Sequence, residues 1–599
     1  LINHPLDCPI CDQGGECDLQ DQSMAYGVGL SRFKENKRAV RDKSFGPLVK
    51  AAMTRCIHCT RCIRFLNEVA GAPEMGATGR GEHTEVGTYV YKALSSELSG
   101  NIIDLCPVGA LTSKPYAFAA RPWELNKTET IDVMDAVGSS IRVDCRGAEV
   151  MRILPRLNEE VNEEWISDKT RFAYDGLKRQ RLDRPYVRQD GKLRPASWDE
   201  ALAAAAGRLK GAKGQAIAAI AGDLADCESM TALKDLMAAL ASPHTDCRQD
   251  GARLDASCRA AYLFNTTIAG IEEADACLII GSNPRLEAPI INARLRKRYL
   301  MGGFDIAVVG PGGDLTYKYD HLGGTVDVLD EIAGGGHKFA KVLKKAKRPM
   351  LILGQGGLAR PDGANILYLA RKIARESGMI LKKDGWNGFN VLHTAAARAG
   401  GMDLGFLPGH QGMAVDGIIE GAANGSIEVV YLLGADEIDM GRLGGAFVIY
   451  QGHHGDAGAA RADVVLPGAA YTEKSATYVN TEGRVQSTRL AVFPPGEGRE
   501  DWKIIRALSE AAGHTLSFDN VDQLRRRMVE INPVFAAADS IKPAPWKAFG
   551  RKGKSDPAPF MSPVDNFYMT DPICRASVNM AMCTEAFVAS NYGKTGTDG

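Results

Sequence analysis

From about residue 196 onward, short apolar runs ending in glycine alternate with helix-length amphipathic stretches. The runs fall at residues 216–222, 276–281, 305–310, 349–354, 428–434, 446–452 and 463–468. The amphipathic stretches include residues 198–210, 229–240, 364–377 and 501–512. Continuous apolar runs mark strands buried on both faces, and their alternation with helices predicts a doubly wound α/β body. Seven strands over this length suggest two lobes rather than one sheet. Ahead of them, residues 130–134, 140–144 and 149–154 read as short strands broken by Val137-Gly138 and Arg146-Gly147, a small antiparallel meander.

The two ends of the chain lack such periodicity. Residues 541–565 hold five prolines and several lysines, the pattern of an extended linker or a tail laid on a surface. Residues 1–120 are rich in Cys, Gly and Arg, and a region so poor in apolar runs needs something besides a core to hold it. The expected organisation is therefore a cysteine-rich domain over residues 1–120 and a small antiparallel β region over 121–195. A multi-lobed α/β domain over 196–540 and a C-terminal tail over 541–599 complete it.

Composition narrows the function classes. The formal net charge is −1, which argues against nucleic-acid binding and against a polybasic membrane anchor. No stretch approaches the roughly 18 uncharged apolar residues of a membrane helix, so any membrane role is expected to be peripheral. The chain opens Leu1-Ile2-Asn3-His4-Pro5 without a signal-peptide pattern, and a motif starts within four residues, so sequence upstream is expected to be missing.

Seven of the fourteen cysteines fall in the first 106 residues at close spacings; the other seven are scattered. That distribution argues for metal ligation rather than a disulfide framework. His4, Cys8, Cys11 and Cys17 have the spacing H-x3-C-x2-C-x5-C, and Gly14-Gly15 would let the chain loop back to one centre. On spacing alone this set suits structural zinc or an iron–sulfur cubane with one imidazole ligand. Cys56, Cys59 and Cys62 form C-x2-C-x2-C, and Cys106-Pro107 follows far downstream. This matches the ferredoxin-type run closely, whereas zinc sites bring two separated cysteine pairs. Zinc passes no electrons and a pair of clusters makes a relay, so the second motif strengthens the cubane reading of the first. Arg55, Arg61 and Arg64 crowd the second loop, either offsetting cluster charge or as a solvated basic face.

At this point the chain resembles a known family, the large iron–sulfur subunit of respiratory complex I, NADH–quinone oxidoreductase. The likeness rests on residues 4–26, 55–64 and 104–114, on the run from Trp165 through Leu177, and on residues 450–455, 469–483 and 501–510. It implies that His4, Cys8, Cys11 and Cys17 ligate one 4Fe–4S cluster and that Cys56, Cys59, Cys62 and Cys106 ligate another. It implies electron transfer from flavin, reduced by NADH on a neighbouring flavoprotein subunit that binds FMN, toward quinone-side iron–sulfur subunits. No independent active site is expected on this chain. The expected place is peripheral, at the cytoplasmic face of a bacterial inner membrane or the matrix side of a mitochondrial one. The family's 2Fe–2S domain is expected only on a missing upstream segment, and Cys145 alone cannot build a third cubane.

The α/β part is similar to molybdopterin oxidoreductases through residues 274–289, with Gly281-Ser282-Asn283-Pro284, and the run from Arg171 to Tyr174. Ser167 and Thr170 stand where active relatives have Cys and Gly, so this domain is expected to be a scaffold without molybdenum. A molybdenum enzyme of the formate dehydrogenase type is the alternative. Gly354-Gln355-Gly356-Gly357-Leu358-Ala359 offers a weak dinucleotide fingerprint, so NADH binding by this chain is a rival, and a structural zinc scaffold is another.

Overall fold

The computed structural model describes residues 1–88, 92–381 and 385–589. All seven apolar runs of the α/β body are strands. Ile217–Ala221, Val429–Leu433, Phe447–Gly452 and Val464–Pro467 lie parallel and adjacent in a seven-stranded sheet. Ala276–Ile280, Asp305–Val309 and Pro349–Leu353 form the centre of a separate five-stranded parallel sheet. The fold class is thus the expected one, with two sheets as two lobes. The expected helices are Trp198–Gly211, Cys227–Ala239, Gly363–Glu376 and Asp501–Ala511.

Side-chain alternation explains why these strands are apolar throughout. In Ala276–Ile280, Leu278 and Ile280 enter one core while Cys277 and Ile279 enter another. Leu351 and Leu353 part from Met350 and Ile352 in the same way, and Ile217 and Ala219 from Ala218 and Ile220. Each fully buried Leu or Ile is worth roughly 1.5–3 kcal/mol, and neither face can spare a polar residue. Three further strands, His244–Asp246, Asp320–Gly323 and Phe389–Val391, are short; the first two are mostly polar and the third is broken by Asn390, so no apolar run announces them. The hairpin Tyr186–Gln189 and Lys192–Pro195 extends the seven-stranded sheet antiparallel to Val464–Pro467, so the α/β body takes in residues ahead of 196.

Asn126–Ile131, Ser140–Arg146 and Glu149–Pro155 form the three-stranded antiparallel meander. Its Ile141 and Val143 share one apolar core with Phe65, Leu66 and Ile102 of the cysteine-rich region and Ile279 and Ile352 of the five-stranded sheet. The cysteine-rich region is therefore seated on the rest of the molecule by ordinary apolar packing.

Residues 541–566 carry no regular element and lie along the α/β body. The Gly550 and Phe560 amides donate to Asp255 and to the Gly324 carbonyl, and Arg360 donates to the Asp556, Ala558 and Pro559 carbonyls. From Phe567 the chain departs from an extended tail. Pro572–Ala576 and Val578–Cys583 are helices whose Ile573, Cys574, Met580 and Cys583 are fully buried. The proline-rich stretch is extended because proline forbids helix; the apolar stretch after it folds back because it has a core to join.

Candidate metal centres

The first motif forms a short loop followed by a helix. Cys8–Ile10 is a single tight turn in which the Cys11 amide donates to the Asp7 carbonyl at 2.9 Å. Gly15 has φ +88°, a left-handed conformation that turns the chain back toward the same centre, and its missing Cβ would sit 2.7 Å from the Trp123 ring. Cys17 then caps the helix Asp18–Tyr26, its sulfur accepting the Gln20 amide at 3.4 Å. The Cys8, Cys11 and Cys17 thiols stand near enough that charge on the first two raises the third, after burial, which is the larger cause.

His4 reaches this loop from the chain's start. Its Nδ1 lies 2.9 Å from the Arg55 carbonyl. A carbonyl only accepts, so Nδ1 carries the proton and Nε2 keeps a lone pair for a metal. Burial holds the His4 pKa below its ordinary value, favouring the neutral ring that ligation needs.

The second motif is a tight loop entering the helix Arg61–Arg64. His58 and Thr60, with φ 54° and 62°, are left-handed on either side of Cys59. Such conformations cost of order 1–3 kcal/mol each and mark loops whose shape is imposed by function. Cys106 ends the helix Asn101–Leu105 and joins the other three. Burial first, then the neighbouring thiols Cys106, Cys56 and Cys59, push the Cys62 thiol up to about 12. Burial likewise raises Cys106 to about 11 and lifts Cys56. Cys62 is buried, Cys56 and Cys106 are half-buried and Cys59 is exposed, and the three raised thiols are ones a metal would discharge by displacing protons. Among the described residues no three His, Cys, Asp or Glu side chains lie close enough to hold a single metal ion. A tetranuclear cluster is wider than an ion and takes its ligands farther apart.

Residues 106–110 join the two sites. The Pro107 carbonyl accepts the Leu19 amide at 3.4 Å and the Cys17 thiol at 3.6 Å. A Cβ on Gly109 would fall 2.2 Å from the Cys11 sulfur. Arg55 ties the same parts from the other side: its guanidinium donates to Asp7 at 2.9 and 3.1 Å, and its carbonyl holds His4. Cys17, Val108 and Ala110 pack with Cys56, Ile57 and Cys106 in one small apolar cluster. Sequence marked Arg55 only as a charge beside the second motif and Pro107 only as the residue after Cys106; that these two, with Asp7 and Gly109, join the sites was not legible, because the contacts are long-range. Arg55, Arg61 and Arg64 each pair with a carboxylate, Asp7, Asp18 and Glu68 respectively. His58 is exposed, its ring in none of the hydrogen bonds described.

Comparison with known proteins agrees with this geometry. Residues 1–32 match the model described as NADH-ubiquinone oxidoreductase-G iron-sulfur binding region, and residues 46–112 match NADH-quinone oxidoreductase subunit 3, ferredoxin-like domain. The chain is 52% identical over 587 residues to the G subunit of NADH-quinone oxidoreductase from Rickettsia felis, covering 98% of this chain and 85% of that one. The chain belongs to the G-subunit family of NADH-quinone oxidoreductase.

Two eukaryotic relatives, one of them described as mitochondrial, are nearly as similar. Identity is 49% to the NADH-ubiquinone oxidoreductase 75 kDa subunit of Reclinomonas americana, over 98% of this chain and 86% of that one. It is 51% to the 78 kDa subunit of Neurospora crassa, over 98% and 80%. Residues 125–175 match an NDSU1/NuoG-like 4Fe-4S domain, residues 181–511 match Molybdopterin oxidoreductase, and residues 540–583 match the C-terminal model of the same NADH-ubiquinone oxidoreductase G subunit. Cys145, the one cysteine of the 125–175 segment, is a core residue of strand Ser140–Arg146 with 1% exposure. Among solved structures, acetylene hydratase from Pelobacter acetylenicus resembles the chain with a TM-score of 0.49 and 13% identity, over 65% of this chain and 69% of that one.

The pterin that the Molybdopterin oxidoreductase match would imply is to be sought outside the carboxyl ends of the strands, where there is a cavity of about 450 Å³. Its residues do not fit that group. No cysteine, histidine or serine is among the described lining residues, and six carboxyl side chains face where a phosphate-bearing pterin would lie. The Ser167 hydroxyl is taken up locally, 2.9 Å from the Thr170 hydroxyl, which donates in turn to Asp132 at 2.9 Å. The glycine run after Pro349–Leu353 serves close packing: a Cβ on Gly356 would meet the Met561 carbonyl at 2.3 Å, and one on Gly354 the Gly281 carbonyl at 2.6 Å. His453 and His454 follow the strand Phe447–Gly452, and their rings meet edge-on.

Proposed function

We propose that His4, Cys8, Cys11 and Cys17 hold one 4Fe–4S cluster and that Cys56, Cys59, Cys62 and Cys106 hold a second. The chain is an electron-transfer subunit of NADH-quinone oxidoreductase, and these clusters are the centres through which it relays electrons toward quinone. The observation that carries the reading is the junction at Arg55 and residues 106–110, where one ligand set packs directly on the other. The clusters would supply one-electron redox chemistry. The chain's own residues fix the His4 tautomer, bury Cys11, Cys17 and Cys62, and set the spacing between the sites.

On the same reading the α/β body is a scaffold without molybdenum, because its cavity presents carboxyl groups where an anionic cofactor would bind. The chain associates with other complex I subunits. The finer expectation is an FMN- and NADH-binding flavoprotein neighbour upstream and iron–sulfur subunits on the quinone side. No described helix is long and apolar enough to cross a membrane, which suits a place in the peripheral arm on the cytoplasmic or matrix face.

The test is reduction by NADH. The isolated chain should stay oxidised when NADH is added and become reduced once the flavoprotein subunit is present. Direct reduction of the isolated chain by NADH would instead favour a nucleotide site on this polypeptide.

A further inference from the structure

The cavity between the lobes collects chemistry that electron relay does not use. It lies at the carboxyl ends of parallel strands from both sheets. Asp223 follows Ile217–Ala221, Asp250 follows His244–Asp246, Glu287 follows Ala276–Ile280, and Glu437 follows Val429–Leu433. Asp565 and Asp571 of the C-terminal segment complete a ring of six carboxyl groups, and Lys169 is the only cationic side chain among the described lining residues. Arg398 pairs with Asp250 at 3.0 Å and stands 3.9 Å from Asp223, and Arg575 pairs with Glu437 at 3.0 Å, so part of this charge is already matched.

A second observation is independent of the charge. Two amide oxygens in the wall, Gln249 Oε1 and Gln355 Oε1, are buried without a hydrogen-bond partner, on residues 7% and 1% exposed. Their amide nitrogens are already committed, Gln249 to Glu437 at 2.6 Å and Gln355 to the Leu392 carbonyl at 2.8 Å. Each orphaned acceptor costs about 1–3 kcal/mol unless something donates to it. The wall as a whole therefore offers acceptors and negative charge and asks for donors and positive charge.

Size and spread decide the ligand class. The cavity is more than ten times the roughly 30 Å³ that one water occupies. Its acceptors stand on both sheets, and among the described residues no three lie close enough for a single metal ion. We propose that this cavity binds an organic polycation of the polyamine class, a small molecule with several N–H donors. The site is thus a vacated cofactor crevice whose electrostatics have been inverted. Burial pushes Glu287 and Glu437 up to about 7 and 8, so at neutral pH a bound cation would displace protons that these two groups hold in part.

Spermidine is the probe, measured by equilibrium dialysis on the complete chain within its complex. Guanosine diphosphate, an anion resembling the nucleotide end of a pterin cofactor, is the opposite probe. The wild type should show one saturable spermidine site per chain and none for the diphosphate. E287Q, which keeps nearly the same shape, and D223N should each weaken it about tenfold or more, the loss of a hydrogen bond to a charged group. Unchanged iron content would show that both variants fold. Absence of a saturable spermidine site, affinity unaltered in both variants, or preference for the diphosphate would each overturn the proposal.

Discussion

His4 and Gly109 are the residues at which the ligand assignment is most exposed to test. If His4 Nε2 is a ligand, His4→Ala should remove only the first cluster, roughly halving the iron per chain while the second keeps its spectrum. His4→Cys should let a cluster assemble with one more negative charge and a lower midpoint potential, since imidazole ligands raise it. Electron paramagnetic resonance with redox titration reads both; signals and potentials unmoved by His4→Ala would remove His4 from the ligand set. Gly109→Ala places a methyl group 2.2 Å from the Cys11 sulfur, which ligation to a cluster would hold in place. It too should cost the first cluster and spare the second, although residue 109 lies close in sequence to Cys106. Loss of the second signal alone would mean that residues 106–110 do not join the sites as described.

Among elements, the most consequential buried charge is Lys474. Its ammonium lies 2.6 Å from Asp226 and 2.7 Å from Asp501, all three nearly inaccessible. Asp226 caps the helix Cys227–Ala239 and Asp501 opens the helix Asp501–Ala511, so one lysine ties two helix starts together. Lys474→Met should destabilise by about 3–5 kcal/mol, because it strands two buried carboxylates, and thermal unfolding should show it. A change below about 1 kcal/mol would mean the carboxyls find other compensation. His393 offers a pH test. Burial lowers it to about 4, and its ring lies 2.6 Å from the Tyr262 carbonyl. The unfolded chain binds its proton near pH 6.5, the folded chain near 4. Stability from this group is present above 6.5 and is lost as pH falls toward 4, by roughly 3 kcal/mol. His393→Gln should therefore flatten the acid limb of the unfolding curve, and an unchanged limb would assign acid loss to other groups.

The elements legible in sequence were those with one dominant signal. Strands buried on both faces leave unbroken apolar runs, and helices with capping residues such as Ser197 leave amphipathic ones, so their positions could be read. The short strands His244–Asp246 and Asp320–Gly323 follow from pairing with neighbours, which a run of polar residues does not reveal. The C-terminal helices were hidden by the prolines just before them. Seven of the eight proposed ligands were legible because their spacing is local, and the distant Cys106 because a proline follows it. The contacts joining the two sites were not: the His4 to Arg55 bond spans 51 residues and the Cys17 to Pro107 contact spans 90.

At the scale of the whole molecule, one apolar core runs from the cysteine-rich region through the meander into the five-stranded sheet. The α/β body thus holds the relay in place, and Val133 and Met134 of that same core help line the cavity. What the molecule is for depends on what the eight ligands hold. The direct measurement is iron and acid-labile sulfide in anaerobically purified chain, read with the paramagnetic spectrum after reduction. Two tetranuclear clusters require about eight iron and eight sulfide per chain and two distinct signals. A preparation holding two zinc ions, no sulfide and no signal would contradict the relay.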